Sequence, residues 1–217
     1  MTDYQTRRKT MVDTQIRPSD VTKFPIIEAF LSVPREKFVP DGKREAAYIG
    51  ENFKIGQSRV ILEPRTLAKL LDALDICNDE LVLDIGPGLG YSSAVISPMA
   101  EVVIAVEDDS SMANEAEEIL TEVGADNVVI QIGKLEDGAP EHGPYDVIIL
   151  QGGVEKIPSS ILKQLKNGGR VGAIFVEEGL GTAKIGFKLN DKINWRYSFN
   201  AAAPVLPGFF KQKDFVL

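Results

Sequence analysis

The chain has 217 residues, 44% of them hydrophobic and 26% charged, which supports a globular core and excludes a disordered chain. Its formal net charge of −8 argues against a broad nucleic-acid surface, and no apolar run approaches the roughly 18 residues of a membrane helix. One cysteine, Cys77, and one histidine, His142, exclude a disulfide framework, a multi-cysteine zinc site and a His–His metal site within one chain, so no metal site is expected.

Residues 1–60 read as an N-terminal helical cap carrying a substrate loop. Apolar residues at helical spacing over 24–31 predict a helix that Pro34 ends. The Gly-containing segment 52–61 reads as loop. Pro64 opens a helix whose stripe is Leu67, Leu70, Leu71 and Leu74. Residues 61–217 form the second region, continuous with the first in one structural unit. Short apolar runs at 81–85, 102–106, 128–132, 147–150 and 170–176 predict strands. Helices from about Tyr91, from Ser110 or Ser111 to Gly124, and over 159–166 separate them. Met112, Ala116, Ile119, Leu120 and Val123 form the expected buried face of the second of these helices. Near-continuous β-branched runs alternating with helices indicate parallel strands covered on both faces, hence an α/β doubly wound sheet. The tail, with Phe187, Trp195, Tyr197, Phe199 and Phe215, is expected to add antiparallel edge strands by ordinary packing.

The chemistry concentrates at Asp84-Ile85-Gly86-Pro87-Gly88-Leu89-Gly90, where the first long strand turns into its helix. Glycines there let a ligand approach the backbone closely. Glu107 closes the next strand, at the spacing where a carboxylate accepts hydrogen bonds from ribose hydroxyls. The pair implies a nucleoside-containing ligand. A dinucleotide fingerprint requires a third glycine where Tyr91 stands, and the acidic Asp84 would repel a phosphate but attract an ammonium or sulfonium. S-adenosylmethionine carries both cations and no phosphate, which makes it the expected cofactor and a nicotinamide cofactor the distant rival. Residues 61–170 hold 7 basic and 20 acidic side chains, a balance that favours a cationic small molecule and otherwise reads as solvated helix surface.

The order DIGPGLGY, AVE, GPYDVIIL, LKNGGRV resembles the class I S-adenosylmethionine-dependent methyltransferases. Val33-Pro34-Arg35-Glu36-Lys37-Phe38-Val39-Pro40, with Met11-Val12, Ala47-Tyr48 and Ile55-Gly56-Gln57-Ser58, is similar to the protein-L-isoaspartate O-methyltransferase family over nearly the whole chain. The late Ala203-Pro204-Val205-Leu206-Pro207-Gly208-Phe209 resembles a bacterial subgroup of it. The resemblance implies a seven-stranded, mostly parallel sheet under a helical cap. It also implies methylation of the α-carboxylate of isoaspartyl residues in damaged peptides, and the absence of an apolar signal core with the single cysteine makes a cytoplasmic protein the expectation. The resemblance assigns cofactor contacts to Asp84, Gly86, Gly88, Gly90, Glu107 and Asp108, and to Gly133, Lys134 and Leu135 after the third strand.

The chain departs from the family pattern twice. Where the family reads T-I-S-A-P-H, this chain has Leu62 at the serine position and Arg65 at the histidine position, with one residue inserted. Where the family reads G-D-G, it has Gly133-Lys134-Leu135. A carboxylate acceptor is already ionised at pH 7 and needs no general base, so the site's task is orientation. Ser58 is then the best hydroxyl to hold the acceptor, and Arg59 or Arg65 the cations to attract it. Another acid or hydroxyl acceptor, or cofactor binding without transfer, remain alternatives. His142 falls in an expected surface turn, Cys77 at the core or its boundary, and Arg7-Arg8-Lys9 on a solvated helix face.

Overall fold

The computed structural model describes residues 3–211; Phe215 lies outside them. Asp3 caps α1 (Tyr4–Met11) by accepting from the Thr6 amide, and the helix runs on through a π turn over Val12–Ile16. α2 (Phe24–Ser32) begins on a proline at its first turn and buries Ile26, Ile27 and Phe30. The segment read as loop contains a hairpin, β1 (Phe53–Lys54) against β2 (Val60–Ile61). α3 (Pro64–Leu74) buries Leu67, Leu70, Leu71 and Leu74, the whole expected stripe.

Then come β3 (Leu81–Ile85), α4 (Tyr91–Ile96), β4 (Val102–Glu107), α5 (Ser110–Glu122), β5 (Val128–Ile132), β6 (Tyr145–Val154), α6 (Ser159–Lys163), β7 (Leu165–Glu177), β8 (Leu180–Leu189) and β9 (Lys192–Asn200). β3 to β9 make one sheet in the order β5-β4-β3-β6-β7-β8-β9. Its first five strands are parallel and its last two antiparallel. The chain leaves β3 toward β4 on one side and returns to β6 on the other, so the switch point lies beyond the carboxyl ends of β3, β4 and β6. Cap residues Met11, Ile27, Phe30 and Phe38 share one buried cluster with Leu67, Val82, Tyr91 and Val95, which packs the cap into the core on one face of the sheet.

Local details differ from expectation. Asp109, not a serine, caps α5 by accepting from the Ser111 and Met112 amides. α6 stops at Lys163, short of residue 166. Leu165 already pairs with Tyr145, and Gly168 at φ +89° carries the strand through the irregular register that follows. Cys77 is exposed rather than in the core. Arg8 is turned inward from the expected solvated face: it donates to the Tyr48 hydroxyl, to Glu36 and to the Leu31 and Ser32 carbonyls. A buried carboxylate at Glu36 and a buried phenol at Tyr48 leave that guanidinium more to gain inside than in water.

Candidate functional site: the glycine turn and Glu107

At the end of β3 the chain turns through Gly86, Gly88 and Gly90 at φ +76°, +61° and +91°, a sequence of left-handed residues that only glycine adopts freely. α4 starts directly after, and Tyr91 sinks beneath it against Phe30, Phe38 and the Arg35 guanidinium. The position of a third glycine is thus a core aromatic.

Asp84 is fully buried beneath the turn. One carboxylate oxygen accepts from Ser92 at 2.6 Å and Ser93 at 2.7 Å, and the other accepts from Gln151 on β6 at 2.7 Å. Burial pushes its pKa up, against the pull of these three donors. Asp84 braces β3, α4 and β6 together from behind the turn.

Glu107, the last residue of β4, is also fully buried. The amides of Asp108 and Asp109 donate to Oε1 at 3.0 and 3.1 Å, and the Gly88 amide donates to Oε2 at 2.8 Å. Arg59, from the tip of the β1–β2 hairpin, completes the set: Nη1 donates to Oε1 at 2.6 Å and Nη2 to Oε2. Nη1 also reaches Asp108 at 2.6 Å. Burial pushes the Glu107 carboxyl up and the guanidinium pulls it back.

The tip of the hairpin is folded over the turn. A Cβ built on Gly88 would overlap Ile55 Cδ1, and one on Gly86 would stand 3.3 Å from Arg59 Nη2 and from Leu206 Cδ2. Leu206 comes from the carboxyl-terminal tail, where the Gly153 amide donates to the Pro204 carbonyl and the Leu206 amide to the Gly153 carbonyl. Beside this lid a cleft of about 370 Å³ opens between Gln57, Ser58, Arg59, Asp108, Asp109 and Met112.

The residues expected at the site therefore do not all present themselves in the same way. Gly86, Gly88, Glu107, Asp108 and Arg59 converge on one spot, while Gly90 closes the turn against Ala116 and Leu120 of α5. Ser58 is half-buried on the cleft wall. The Gly133 amide donates to the Glu107 carbonyl, Leu135 is buried toward Gly86, and Lys134 is exposed beside them. Leu62 is buried, with its carbonyl accepting from Arg35 Nη2 at 3.0 Å. Arg65 lies on the surface over the Phe199 ring, 5.9 Å from its centroid. Gln151, Ile55 and Leu206 also belong to the site. Only a tertiary contact reveals Gln151, whereas Ile55 stands in the motif Ile55-Gly56-Gln57-Ser58 without a location. The tail motif that contains Leu206 gave a signal without a location.

Residues 6–195 match the family described as Protein-L-isoaspartate(D-aspartate) O-methyltransferase. A protein-L-isoaspartate O-methyltransferase of Syntrophus aciditrophicus is 39% identical over 79% of this chain and 78% of its own length. Protein-L-isoaspartate O-methyltransferase 1 of Syntrophobacter fumaroxidans is 32% identical over 79% and 80%. Among solved structures, a protein-L-isoaspartate O-methyltransferase superposes with a TM-score of 0.80 at 25% identity, covering 93% of this chain and 66% of that one. A putative protein-L-isoaspartate O-methyltransferase from Plasmodium falciparum, in complex with S-adenosyl-L-homocysteine, has the same fold: TM-score 0.78 at 18% identity, over 95% of this chain and 99% of that one.

Proposed function

This chain belongs to the protein-L-isoaspartate(D-aspartate) O-methyltransferase family, and from that premise we propose that it transfers a methyl group from S-adenosylmethionine to the carboxylate of an isoaspartyl residue in a peptide or protein. The observation that carries the reading is the convergence of three left-handed glycines and a buried strand-end carboxylate at the switch point of the sheet.

The donor set suits the cofactor chemically. Glu107 offers two oxygens to a ribose, Asp108 adds a second carboxylate at the rim, and the glycine turn admits a close backbone approach. The backbone of Gly133 to Leu135 flanks the same end of the sheet and would offer main-chain groups to a purine. Asp84 lies behind the turn, where a carboxylate would favour the cationic methionine end. As the chain stands, Arg59 holds Glu107 and Ile55 covers Gly88, so occupancy requires the hairpin tip to lift.

When bound, S-adenosylmethionine supplies an electrophilic methyl on a sulfonium. The chain's own contribution is orientation and exclusion of water, where holding two reactants in line is worth roughly 7–11 kcal/mol. The acceptor carboxylate is ionised at neutral pH, so no side chain has to remove a proton. It loses its charge on reaction, so a hydroxyl contact serves better than a tight cation clamp. Ser58 on the cleft wall has that chemistry. Arg59 is the adjacent cation, its charge now engaged by Glu107 and Asp108.

The test is transfer of labelled methyl to an isoaspartyl peptide, with the aspartyl isomer as control. Labelling of the isoaspartyl peptide alone is expected. Equal labelling of both, or of neither, would point to another acceptor or to binding without transfer.

A further inference from the structure

Glu107 carries five donors on two oxygens: both guanidinium Nη groups of Arg59 and the amides of Gly88, Asp108 and Asp109. An ionised carboxylate offers about four lone-pair sites, so none is left for a ribose hydroxyl. Three of the donors are backbone amides fixed by the turn and by the start of α5. The two from Arg59 are the only ones that a side-chain movement can withdraw.

The tip that carries Arg59 is a small unit of its own. The Arg59 carbonyl accepts from the amides of Ile55 at 3.0 Å and Gly56 at 3.2 Å, which closes the turn between β1 and β2. Ile55 and Arg59 therefore stand side by side and enter the glycine turn together, one over Gly88 and one beside Gly86. The strands below the tip are only two residues long but are anchored by the buried Phe53, Val60 and Ile61, so the tip over residues 55–59 is the part that can lift. Ser58 sits on the same tip.

We infer that Arg59 is a latch on the cofactor site: its guanidinium takes the place of the ribose hydroxyls on Glu107, so cofactor entry exchanges one partner for the other and swings the Ser58-bearing tip out of its resting position. The inference rests on the cofactor assignment made above. It goes beyond that assignment by naming the residue that sets cofactor affinity and couples it to the substrate loop. A ligand that must first open a closed state binds more weakly by the fraction of open molecules. Opening the latch by substitution removes that factor. It also leaves Glu107 buried without its cation, a state that a ribose relieves.

The experiment is calorimetric titration of S-adenosyl-L-homocysteine into the wild type and Arg59→Met, whose neutral side chain keeps much of the length. At least tenfold tighter binding by the variant is expected. Equal or weaker binding by the variant overturns the latch while leaving the cofactor assignment intact. Binding by neither protein overturns the assignment and the latch with it. A second measurement uses only the wild type and does not depend on the variant folding. Arginine side-chain NMR should show the paired Arg59 guanidinium as a resolved, slowly rotating group that moves to free-arginine behaviour at saturating S-adenosyl-L-homocysteine. An Arg59 signal unchanged at saturation overturns the latch.

Discussion

The buried guanidinium of Arg35 donates to the Leu62 carbonyl at 3.0 Å, joining the cap to the segment that carries Leu62 in place of the expected serine. Arg35 Nε also donates to the Ala47 carbonyl at 2.7 Å, and the guanidinium stacks 4.6 Å from the Tyr91 ring centroid. No carboxylate faces it in these contacts; two main-chain oxygens and an aromatic face do the work of a counter-ion. Arg35→Lys keeps the charge but loses the planar fork and the stacking. It leaves at least one buried carbonyl unpaired, at about 1–3 kcal/mol. Denaturant unfolding should show at least that loss; an unchanged midpoint would mean that the cap is held by its apolar contacts alone.

Asp84 makes stability depend on pH in a defined direction. Its native pKa lies above the unfolded value because burial disfavours the charge. The folded state therefore binds the proton more tightly, and this contribution is fully present below about pH 4 and lost as pH rises through the native pKa. Asp84→Asn removes the titration while an amide still meets the Ser92 and Ser93 hydroxyls and Gln151. The difference in unfolding free energy, variant minus wild type, should grow in the variant's favour from pH 4 upward. A difference independent of pH would place the titration elsewhere.

These two buried groups show where the sequence was informative and where it was silent. The glycine turn, the strand rhythm and Glu107 were legible because local chain geometry and residue spacing define them. Asp84 was legible as an acid at the right place, but its three donors come from α4 and β6, and only the fold brings them together. Arg59 reads from sequence as a cation to attract the acceptor, and its pairing with Glu107 stays hidden because that partner lies 48 residues away. Arg8 read as solvated for the same reason, with partners up to 40 residues distant. The helix expected over 159–166 failed at its end because strand pairing to Tyr145 outweighs local helix propensity.

The cap has its own polar anchor. The Tyr48 hydroxyl donates to Glu36 and accepts from Arg8 Nε at 3.1 Å, and burial beside that carboxylate pushes the phenol pKa well above its ordinary value. Tyr48→Phe removes a bond to each of two charged groups, each worth about 1.5–3 kcal/mol. Thermal and denaturant unfolding should both show a loss of at least about 2 kcal/mol; a neutral substitution would show that Arg8 and Glu36 satisfy each other unaided.

Ser58 separates acceptor binding from cofactor binding. Ser58→Ala should lower the rate of methyl transfer to an isoaspartyl peptide with little change in affinity for S-adenosyl-L-homocysteine. An unchanged rate removes Ser58 from the site, and a matching loss of cofactor affinity makes it part of the nucleoside pocket instead.

The role of Glu107 is tested most directly by the affinity of Glu107→Ala for S-adenosyl-L-homocysteine, measured by calorimetric titration beside the wild type, with circular dichroism to verify that the variant is folded. Hydrogen bonds to a charged acceptor contribute about 1.5–3 kcal/mol each. Loss of the carboxylate should therefore weaken binding at least tenfold in a folded protein. Equal affinity in the two proteins would contradict the placement of the nucleoside on Glu107.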